Sequence, residues 1–267
     1  MTTPTAAHMI ASNKHAWDAS ADLHRQTPAW QRLLASFKDP RYSCLDTTLT
    51  QCLQEVGVQG RDVIQLGCNN GRETLSLLAM GARRAVGVDQ SVAFLQQARE
   101  LAAASSHPAE FIEADIHHLP VELQGTFDVA LITIGVLNWM PDLQAFMACV
   151  ASTLKPGGQL VIYETHPFLE MFDPAGVDPF SPSDSYFRAT PVVLEEAIVY
   201  EGDAPAMAAP SYWHIHTLGE IFTALIRAGL QLRHFQEYPH SNREEAYDQY
   251  ENRAAQLPMC FTAVALR

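Results

Sequence analysis

A glycine-rich turn after an apolar segment constrains this chain more than any other feature. Residues 63–66 read as a buried strand, and the turn that follows carries Gly67 and Gly71 before a helix begins. The next predicted strand ends at Asp89, 22 residues after Gly67. In a parallel sheet, a tight turn after one strand and a carboxylate at the end of the next hold an adenosine-type ribose. The sequence therefore predicts a nucleoside-cofactor site at the edge of an α/β sheet.

Strands and helices alternate through the first two thirds of the chain. The predicted strands lie at residues 63–66, 85–88, 110–113, 127–133, 159–164, 230–238 and 259–266. Residues 127–133 are almost all apolar, as expected for a central parallel strand that is covered on both faces. The last two strands are compatible with an antiparallel hairpin at a sheet edge. We predict an α/β fold with a Rossmann-like, doubly wound, seven-stranded sheet, mostly parallel with an antiparallel C-terminal strand.

Several local signals predict where individual elements begin and end. Ser91 is predicted to cap the helix after the second strand. Pro141 suits the first turn of the helix before strand five, and residues 155–158 are predicted to form a turn. A capping box at Thr217 starts a late helix that Gly229 closes.

Composition excludes several classes of function. The chain has 267 residues, 48% of them hydrophobic, which is enough for one large α/β domain. Its net charge of -13 disfavours nucleic acid as a partner. The five cysteines show no C-x-x-C spacing, and His214 and His216 have no further ligand cluster near them in sequence, so no metal site is predicted. We see no secretory signal and no apolar run long enough to span a membrane, so we expect a cytoplasmic protein without a membrane partner, either a monomer or a homodimer.

The glycine-rich turn departs from the dinucleotide fingerprint G-x-G-x-x-G. Its three glycine positions hold Gly67, Asn69 and Arg72. The second glycine of the fingerprint allows the backbone to approach a pyrophosphate, and the third allows close packing of helix on strand. With both replaced, NAD and FAD are disfavoured, and a cofactor with a sugar but no phosphate is favoured.

Five motifs in order over residues 62–166 resemble those of the class I S-adenosylmethionine-dependent methyltransferases. The matching segments are Val63-Ile64-Gln65-Leu66-Gly67-Cys68-Asn69-Asn70-Gly71, Gly87-Val88-Asp89, Glu113-Ala114-Asp115-Ile116, Phe127-Asp128-Val129-Ala130-Leu131-Ile132 and Leu154-Lys155-Pro156-Gly157-Gly158. The C-terminal part, especially residues 217–221, is similar to a bacterial small-molecule branch of that family. The resemblance implies S-adenosylmethionine (SAM) as cofactor and a methyl transfer that leaves S-adenosylhomocysteine (SAH), and secondary metabolism is the expected setting.

The resemblance also implies roles for residues of the first two motifs. Gly67 and Gly71 pass beneath the amino-acid part of the cofactor, and Cys68 and Asn69 belong to the same turn. Asn69 replaces the commoner glycine of the family. Asp89 accepts hydrogen bonds from both ribose hydroxyls, which requires free acceptor sites on a carboxylate.

Other implied contacts surround the adenine and the sulfonium. Asp115 takes the exocyclic amine of adenine, and the backbone N–H of Ile116 takes a ring nitrogen. Ile134 and Gly135 border the methionine moiety. The remaining implied contacts are Gln90 and Leu137, with Trp17 either closing the pocket from the N-terminal helix or packing in the core.

Four segments follow from this interpretation. Residues 1–58 are predicted to form an N-terminal helical lid, and residues 59–166 the SAM-binding Rossmann-like core. Residues 167–215 contain many aromatic residues and prolines, which predicts a folded insertion that covers the substrate. Residues 216–267 complete the core with a helix and a pair of strands.

Three residues are candidates for catalysis. Asn138 follows strand four and either orients a nucleophile or caps the next helix. His166 follows strand five and is either a general base or a turn residue fixed by the next proline. Tyr186, in the insertion, is a candidate to shield the sulfonium by cation–π contact, with packing of the insertion as the alternative.

The sequence leaves three reactions open. The leading hypothesis is methylation of a small molecule. A second is a non-methylating enzyme that cyclises SAM to azetidine-2-carboxylate and releases methylthioadenosine, with Asn138 or Tyr186 placing the amine. A third is a non-catalytic SAM-binding regulatory protein. A nicotinamide oxidoreductase ranks below all three.

Overall fold

The computed structural model describes residues 4–200 and 205–267, and within them helices and strands alternate as the sequence predicts. The helices of this part of the chain are α1 (Ala6–Arg25), α2 (Pro28–Ser36), α3 (Thr47–Val56), α4 (Arg72–Ala79), α5 (Val92–Ala104), α6 (Leu143–Thr153) and α7 (Leu218–Arg227). The strands are β1 (Asp62–Leu66), β2 (Arg84–Asp89), β3 (Glu110–Glu113), β4 (Phe127–Thr133), β5 (Leu154–Thr165), β6 (Val192–Glu196), β7 (Ala206–Trp213), β8 (Gln231–Tyr238) and β9 (Cys260–Leu266).

Seven strands form one sheet in the order β3-β2-β1-β4-β5-β9-β8. Strands β1 to β5 pair in parallel, and β9 lies antiparallel between β5 and β8. The order reverses beside β1, so the carboxyl ends of β1 and β4 flank a crevice of the kind in which such sheets bind ligands. The predicted fold class is confirmed.

Buried apolar residues cover both faces of the central strands. Six of the seven residues of β4 are buried. One layer contains Ile64, Ala130 and Ile162, and the opposite layer contains Val63 and Leu131. Adjacent residues of a strand point to opposite faces, so one short apolar run serves two cores at once.

The predicted helix ends are confirmed at three positions. Ser91 accepts a hydrogen bond from the Phe94 N–H (3.2 Å) at the start of α5. Thr217 and Glu220 form the complete capping box of α7. Gly229 follows α7 in the left-handed region (φ 79°), where glycine lacks the Cβ penalty.

Two local predictions before β5 are wrong. The cap of α6 is Asp142, whose side chain accepts from the Ala145 N–H (2.9 Å), so Pro141 lies outside the helix. Strand β5 begins at Leu154 rather than at residue 159. The register of its pairing with β4 shifts between Leu154 and Gln159. Residues 155–158 therefore form a bulge within β5 instead of a turn before it.

The insertion forms a hairpin that packs on the first helix. Strands β6 and β7 pair antiparallel as a separate two-stranded sheet. The buried Asn13 side chain of α1 makes two hydrogen bonds with the backbone of Tyr212 in β7, at 3.1 and 2.7 Å. The N-terminal helix and the insertion are thereby joined above the sheet.

Among the helices described, none combines the length and the apolarity that crossing a bilayer requires.

Candidate functional site

A cavity of about 1300 Å³ opens at the carboxyl ends of β1, β2 and β4. Its walls come from α1, from the turn after β1, from the loop after β4 and from the insertion, and the loop over residues 243–247 completes them. Ordinary single-ligand pockets measure ~300–1,000 Å³. The cavity can therefore hold a nucleoside cofactor together with a second small molecule.

Gly67 brings the turn after β1 close to the loop after β4. Its backbone is left-handed (φ 69°), and an added Cβ would lie 2.7 Å from a methyl carbon of Val136. Its N–H donates to the carbonyl of Val88 in β2 (2.9 Å). Gly67 lines the cavity, and only glycine combines this conformation with this close approach.

Asp89 ends β2 and lies in the cavity wall. One carboxylate oxygen accepts from the Asn69 N–H (2.8 Å) and the other from the Ser91 N–H (2.9 Å). Burial raises the pKa of Asp89, while these backbone N–H groups favour its ionised form. Each oxygen keeps a further acceptor site, so the carboxylate can still receive two hydroxyl groups.

Cys68 and Gly71 build the turn without lining the cavity, so their contact with the cofactor stays a prediction. The Cys68 side chain is fully buried. Gly71 caps α4 with φ 73°, and an added Cβ would lie 2.5 Å from the Phe111 ring and 3.0 Å from Ala98. Gly71 thus allows the close helix–strand packing that the dinucleotide fingerprint assigns to the next position.

Gly71→Ala is expected to destabilise the fold by ~1–3 kcal/mol more than Gly125→Ala. Both glycines are left-handed, but an added Cβ at Gly125 meets nothing within 4 Å, so this control isolates the backbone cost from the clash with Phe111. Urea denaturation of both variants measures the difference. Equal losses of stability would contradict the packing role of Gly71.

Asp115 and Asp89 do not line the same cavity. Asp115 borders a smaller cavity of about 520 Å³, Ile116 borders the large one, and Gln90 lies in the walls of both. The Asp115 carboxylate also meets the rings of His117 (3.0 Å) and His118 (2.9 Å). These contacts, above all the one with His117, lower its pKa. The two residues predicted to contact adenine therefore line different cavities, Asp115 the smaller one and Ile116 the large one.

Of the three residues after β4 that are predicted to contact the cofactor, Ile134 and Gly135 line the large cavity and Leu137 does not. Leu137 is 3% exposed and packs in the apolar core. The buried Glu164 fixes this loop, because its carboxylate accepts from the N–H groups of Gly135 and Leu137. Burial raises the pKa of Glu164 to about 8. Glu164 positions the loop that borders the predicted methionine site.

Glu164→Ala is expected to cost ~1–3 kcal/mol of folding free energy for each backbone N–H that it leaves without a partner. The exposed Glu195 gives a matched control, since Glu195→Ala removes a carboxylate that no packing depends on. Urea denaturation followed by circular dichroism measures both variants. Equal stability of the two variants would show that Glu164 does not hold the loop.

The three predicted catalytic residues are engaged elsewhere, and none lines the large cavity. The Asn138 amide donates to the carbonyl of His214 (2.8 Å), so it neither caps α6 nor reaches the cavity. His166 is 4% exposed, with Nε2 on Glu237 (3.0 Å) and Nδ1 accepting the Phe168 N–H (3.1 Å). The Tyr186 hydroxyl accepts from the first N–H of α7, at Leu218 (3.0 Å). In this structure all three side chains make structural contacts, and their catalytic roles stay predictions.

Glu170 is the carboxylate that the sequence analysis missed. It lies in the 3₁₀ turn Leu169–Met171, which follows β5 after a short loop, lines the large cavity and accepts from the Trp213 Nε1–H (2.9 Å). Burial, with smaller contributions from the Glu244 and Asp184 carboxylates, raises its pKa to about 7. A carboxyl group that titrates near neutrality in a cavity is suited to accept a proton.

Three tryptophans form a continuous aromatic wall. Trp139 makes edge-to-face contacts with Trp17 (5.4 Å between ring centroids) and with Trp213 (4.9 Å), and all three rings line the cavity. The Trp213 ring also lies over Gly135, 3.5 Å from where a Cβ would be. Trp17 thus lines the cavity and also packs on Phe94, with 5.4 Å between ring centroids. Lining the pocket and packing in the core are therefore both true of this side chain.

No cluster of three or more metal-ligating side chains occurs within residues 4–200 and 205–267.

Comparison with known proteins covers the part of the chain that includes β1 to β4. Residues 63–158 match the sequence model of the family described as "Methyltransferase domain". A lovastatin nonaketide synthase of Monascus pilosus is 39% identical over 114 residues, which are 40% of this chain and 4% of that protein. A tRNA U34 carboxymethyltransferase of Idiomarina loihiensis is 32% identical over 109 residues, 39% of this chain and 33% of that protein. The chain therefore corresponds to only a small part of these relatives.

A solved structure shares the fold over the full chain. It is a 1,6-didemethyltoxoflavin-N1-methyltransferase of Burkholderia thailandensis with bound 1,6-didemethyltoxoflavin and SAH. It superposes with a TM-score of 0.59 at 14% identity, covering 100% of this chain and 92% of that one. At this identity the likeness establishes the common fold.

Proposed function

We propose that this chain, whose residues 63–158 match a methyltransferase-domain model, is a class I SAM-dependent methyltransferase that methylates a small molecule bound in the large cavity. The observation that carries the proposal is one cavity that joins two features. Asp89 and Gly67 lie in one wall, and Glu170 and Trp213 lie in another. Gly67 and Asp89 are suited to bind a nucleoside, and Glu170 and Trp213 are suited to bind a methyl acceptor.

The residues around Asp89 fit SAM. Gly67 keeps the turn after β1 free of side-chain bulk, and Asp89 presents two oxygens for the ribose hydroxyls. Gln90, which lines both cavities, and Ile116 would hold the adenine, and the Asp115 carboxylate would accept its exocyclic amine. When bound, SAM supplies an electrophilic methyl carbon on a sulfonium.

The N-terminal helices and the insertion cover the acceptor. Both line the cavity, and the contact between Asn13 and Tyr212 joins them. The tryptophan wall suits a partly apolar, planar molecule and excludes water from the sulfonium. Similarity to a polyketide synthase and to a toxoflavin-type methyltransferase supports a small-molecule acceptor.

The protein contributes alignment and proton transfer. Alignment of two reactants for in-line displacement supplies up to ~7–11 kcal/mol where the geometry is ideal. Glu170 removes the proton from an acceptor whose nucleophilic atom carries one, and Trp213 holds the Glu170 carboxylate in place. Glu164 keeps the Gly135 backbone in position at the methionine end.

Cyclisation of SAM is less well supported than methyl transfer. The side chains proposed to place the amine were Asn138 and Tyr186, and both bind backbone groups outside the large cavity. Methylthioadenosine formed without a second substrate would favour cyclisation. Binding of SAM without consumption by any extract would favour a regulatory protein.

Incubation of the protein with methyl-labelled SAM and a whole-cell extract of the source cells, which contains metabolites, RNA and proteins, tests the proposed function. Mass spectrometry should find SAH and one labelled small molecule in equal amounts. Label recovered in RNA or protein would contradict a small-molecule acceptor.

A further inference from the structure

Two arginines of the large cavity share one buried carboxylate. Arg72 opens α4, and Arg243 lies in the loop after β8; both line the cavity. Arg72 Nε lies 2.9 Å and Arg243 Nη2 lies 3.2 Å from the same oxygen, Oε1 of Glu73. Glu73 is 5% exposed, so the carboxylate that joins the two arginines is buried.

The triad has more positive charge than its carboxylate neutralises. Burial alone would raise the pKa of Glu73, but the guanidinium groups of Arg72 and Arg243 lower it below its ordinary value. Glu73 is therefore ionised and balances one of two cations. The Glu244 carboxyl also interacts electrostatically with both arginines, but among the residues described it forms no ion pair within 4.0 Å of either one, and burial raises its pKa.

The guanidinium groups also have unused donors. Each carries five N–H groups. Arg243 donates to Glu73 and, from Nη1, to the Cys44 carbonyl (3.1 Å), while its buried Nε has no partner. Buried donors without partners are rare in folded proteins, because leaving one unpaired costs ~1–3 kcal/mol.

The backbone of Arg243 adopts an unfavourable conformation that the surrounding structure must stabilise. Its φ of 77° lies in the left-handed region, which costs a residue other than glycine or asparagine ~1–3 kcal/mol. The neighbouring Asn242 is 1% exposed and anchors the loop through a hydrogen bond from Thr165 (3.1 Å). Such strain is concentrated at ligand sites, where the surrounding structure holds a side chain in a required place.

We propose that Arg72 and Arg243, bridged by Glu73, form a subsite of the large cavity that binds one carboxylate group. The planar guanidinium fork matches a carboxylate with two parallel hydrogen bonds. The inference rests on the proposed function, since the carboxylate comes either from the amino-acid end of the cofactor or from an acidic acceptor. No covalent step occurs at this subsite.

Calorimetry with two nucleosides tests the first source. SAH has the amino-acid carboxylate, and 5′-methylthioadenosine lacks it. If the subsite holds the cofactor, Arg243→Gln should lower the affinity for SAH at least tenfold. Its affinity for methylthioadenosine should stay within twofold of the wild-type value, and this retained binding shows that the variant is folded. Arg243→Lys should fall between, because it keeps the charge without the fork. Arg233→Gln, at an exposed arginine of β8, is the control and should change neither affinity.

Saturation-transfer NMR with benzoate and benzamide tests the second source. If the subsite holds an acidic acceptor, SAH affinity stays unchanged in Arg243→Gln. In that case the wild-type protein binds benzoate but not benzamide, and the Arg243→Gln variant does not bind benzoate. The measurement is made with and without SAH, so a failure of nucleoside binding, which would sink the proposed function, is seen separately from carboxylate binding. Unchanged SAH affinity together with unchanged benzoate binding in Arg243→Gln would overturn the subsite.

Discussion

Replacing Asp89 with alanine is expected to lower the affinity for SAH by ~10²- to 10⁴-fold. The carboxylate is placed to accept two ribose hydroxyls, and each hydrogen bond to a charged group contributes ~1.5–3 kcal/mol. Its position at the end of β2 is fixed by the N–H groups of Asn69 and Ser91, so the binding geometry exists before the ligand arrives. Isothermal titration calorimetry measures the loss.

Two variants control for indirect effects of the Asp89 change. Asp89→Asn keeps one acceptor oxygen and should lose less affinity than Asp89→Ala. Asp22→Ala removes an exposed carboxylate of α1 and should leave affinity unchanged. Wild-type affinity in a folded Asp89→Ala protein would show that the ribose lies elsewhere.

Glu170→Gln is expected to lower kcat by ~10²- to 10⁴-fold while SAH affinity stays within twofold. The active form of a general base is the carboxylate, and the pKa of Glu170 is about 7. Wild-type turnover should therefore fall about tenfold for each pH unit below 7 and level off above it. The residual activity of the variant should lack this limb of the pH profile.

To test the role of Glu170, kcat is measured from pH 5 to 9 with the acceptor that the labelling experiment identifies. Glu195→Gln removes an exposed carboxylate of β6 and should retain the wild-type rate and profile. Full activity of Glu170→Gln with an unchanged acidic limb would assign proton removal to another group or to none.

The cofactor half of the site could be predicted from sequence because its geometry is local to the sheet. Gly67 and Asp89 end neighbouring parallel strands, whose pairing brings their carboxyl ends together regardless of the rest of the chain. The same logic placed Ile134 and Gly135 after β4. It failed for Leu137, because the contacts with Glu164 turn that side chain into the core.

The acceptor half could not be predicted because its residues depend on partners far away in the chain. Trp213 lies 43 residues from Glu170, and Glu73 lies 170 residues from Arg243. Asn138 and His166 occupy the expected edge of the sheet, but distant partners engage their side chains. Position at a strand end thus indicated the right region without showing which side chains face the cavity.

A weak signal for two of the missed residues was present in the sequence. Arg72 and Glu73 follow the glycine turn directly, at the point where a helix begins beside the cofactor. An arginine there brings a positive charge to the cavity. No comparable signal marks Glu170 or Arg243, since each lies outside the strands and α-helices that the sequence patterns define.

A crystal structure of the protein with SAH tests the central claim most directly. The account predicts the ribose O2′ and O3′ atoms within hydrogen-bond distance of the Asp89 carboxylate, with the sulfur facing Gly135 and the tryptophan wall. An unoccupied crevice beside Asp89 at saturating SAH, or SAH bound at another surface, would contradict it.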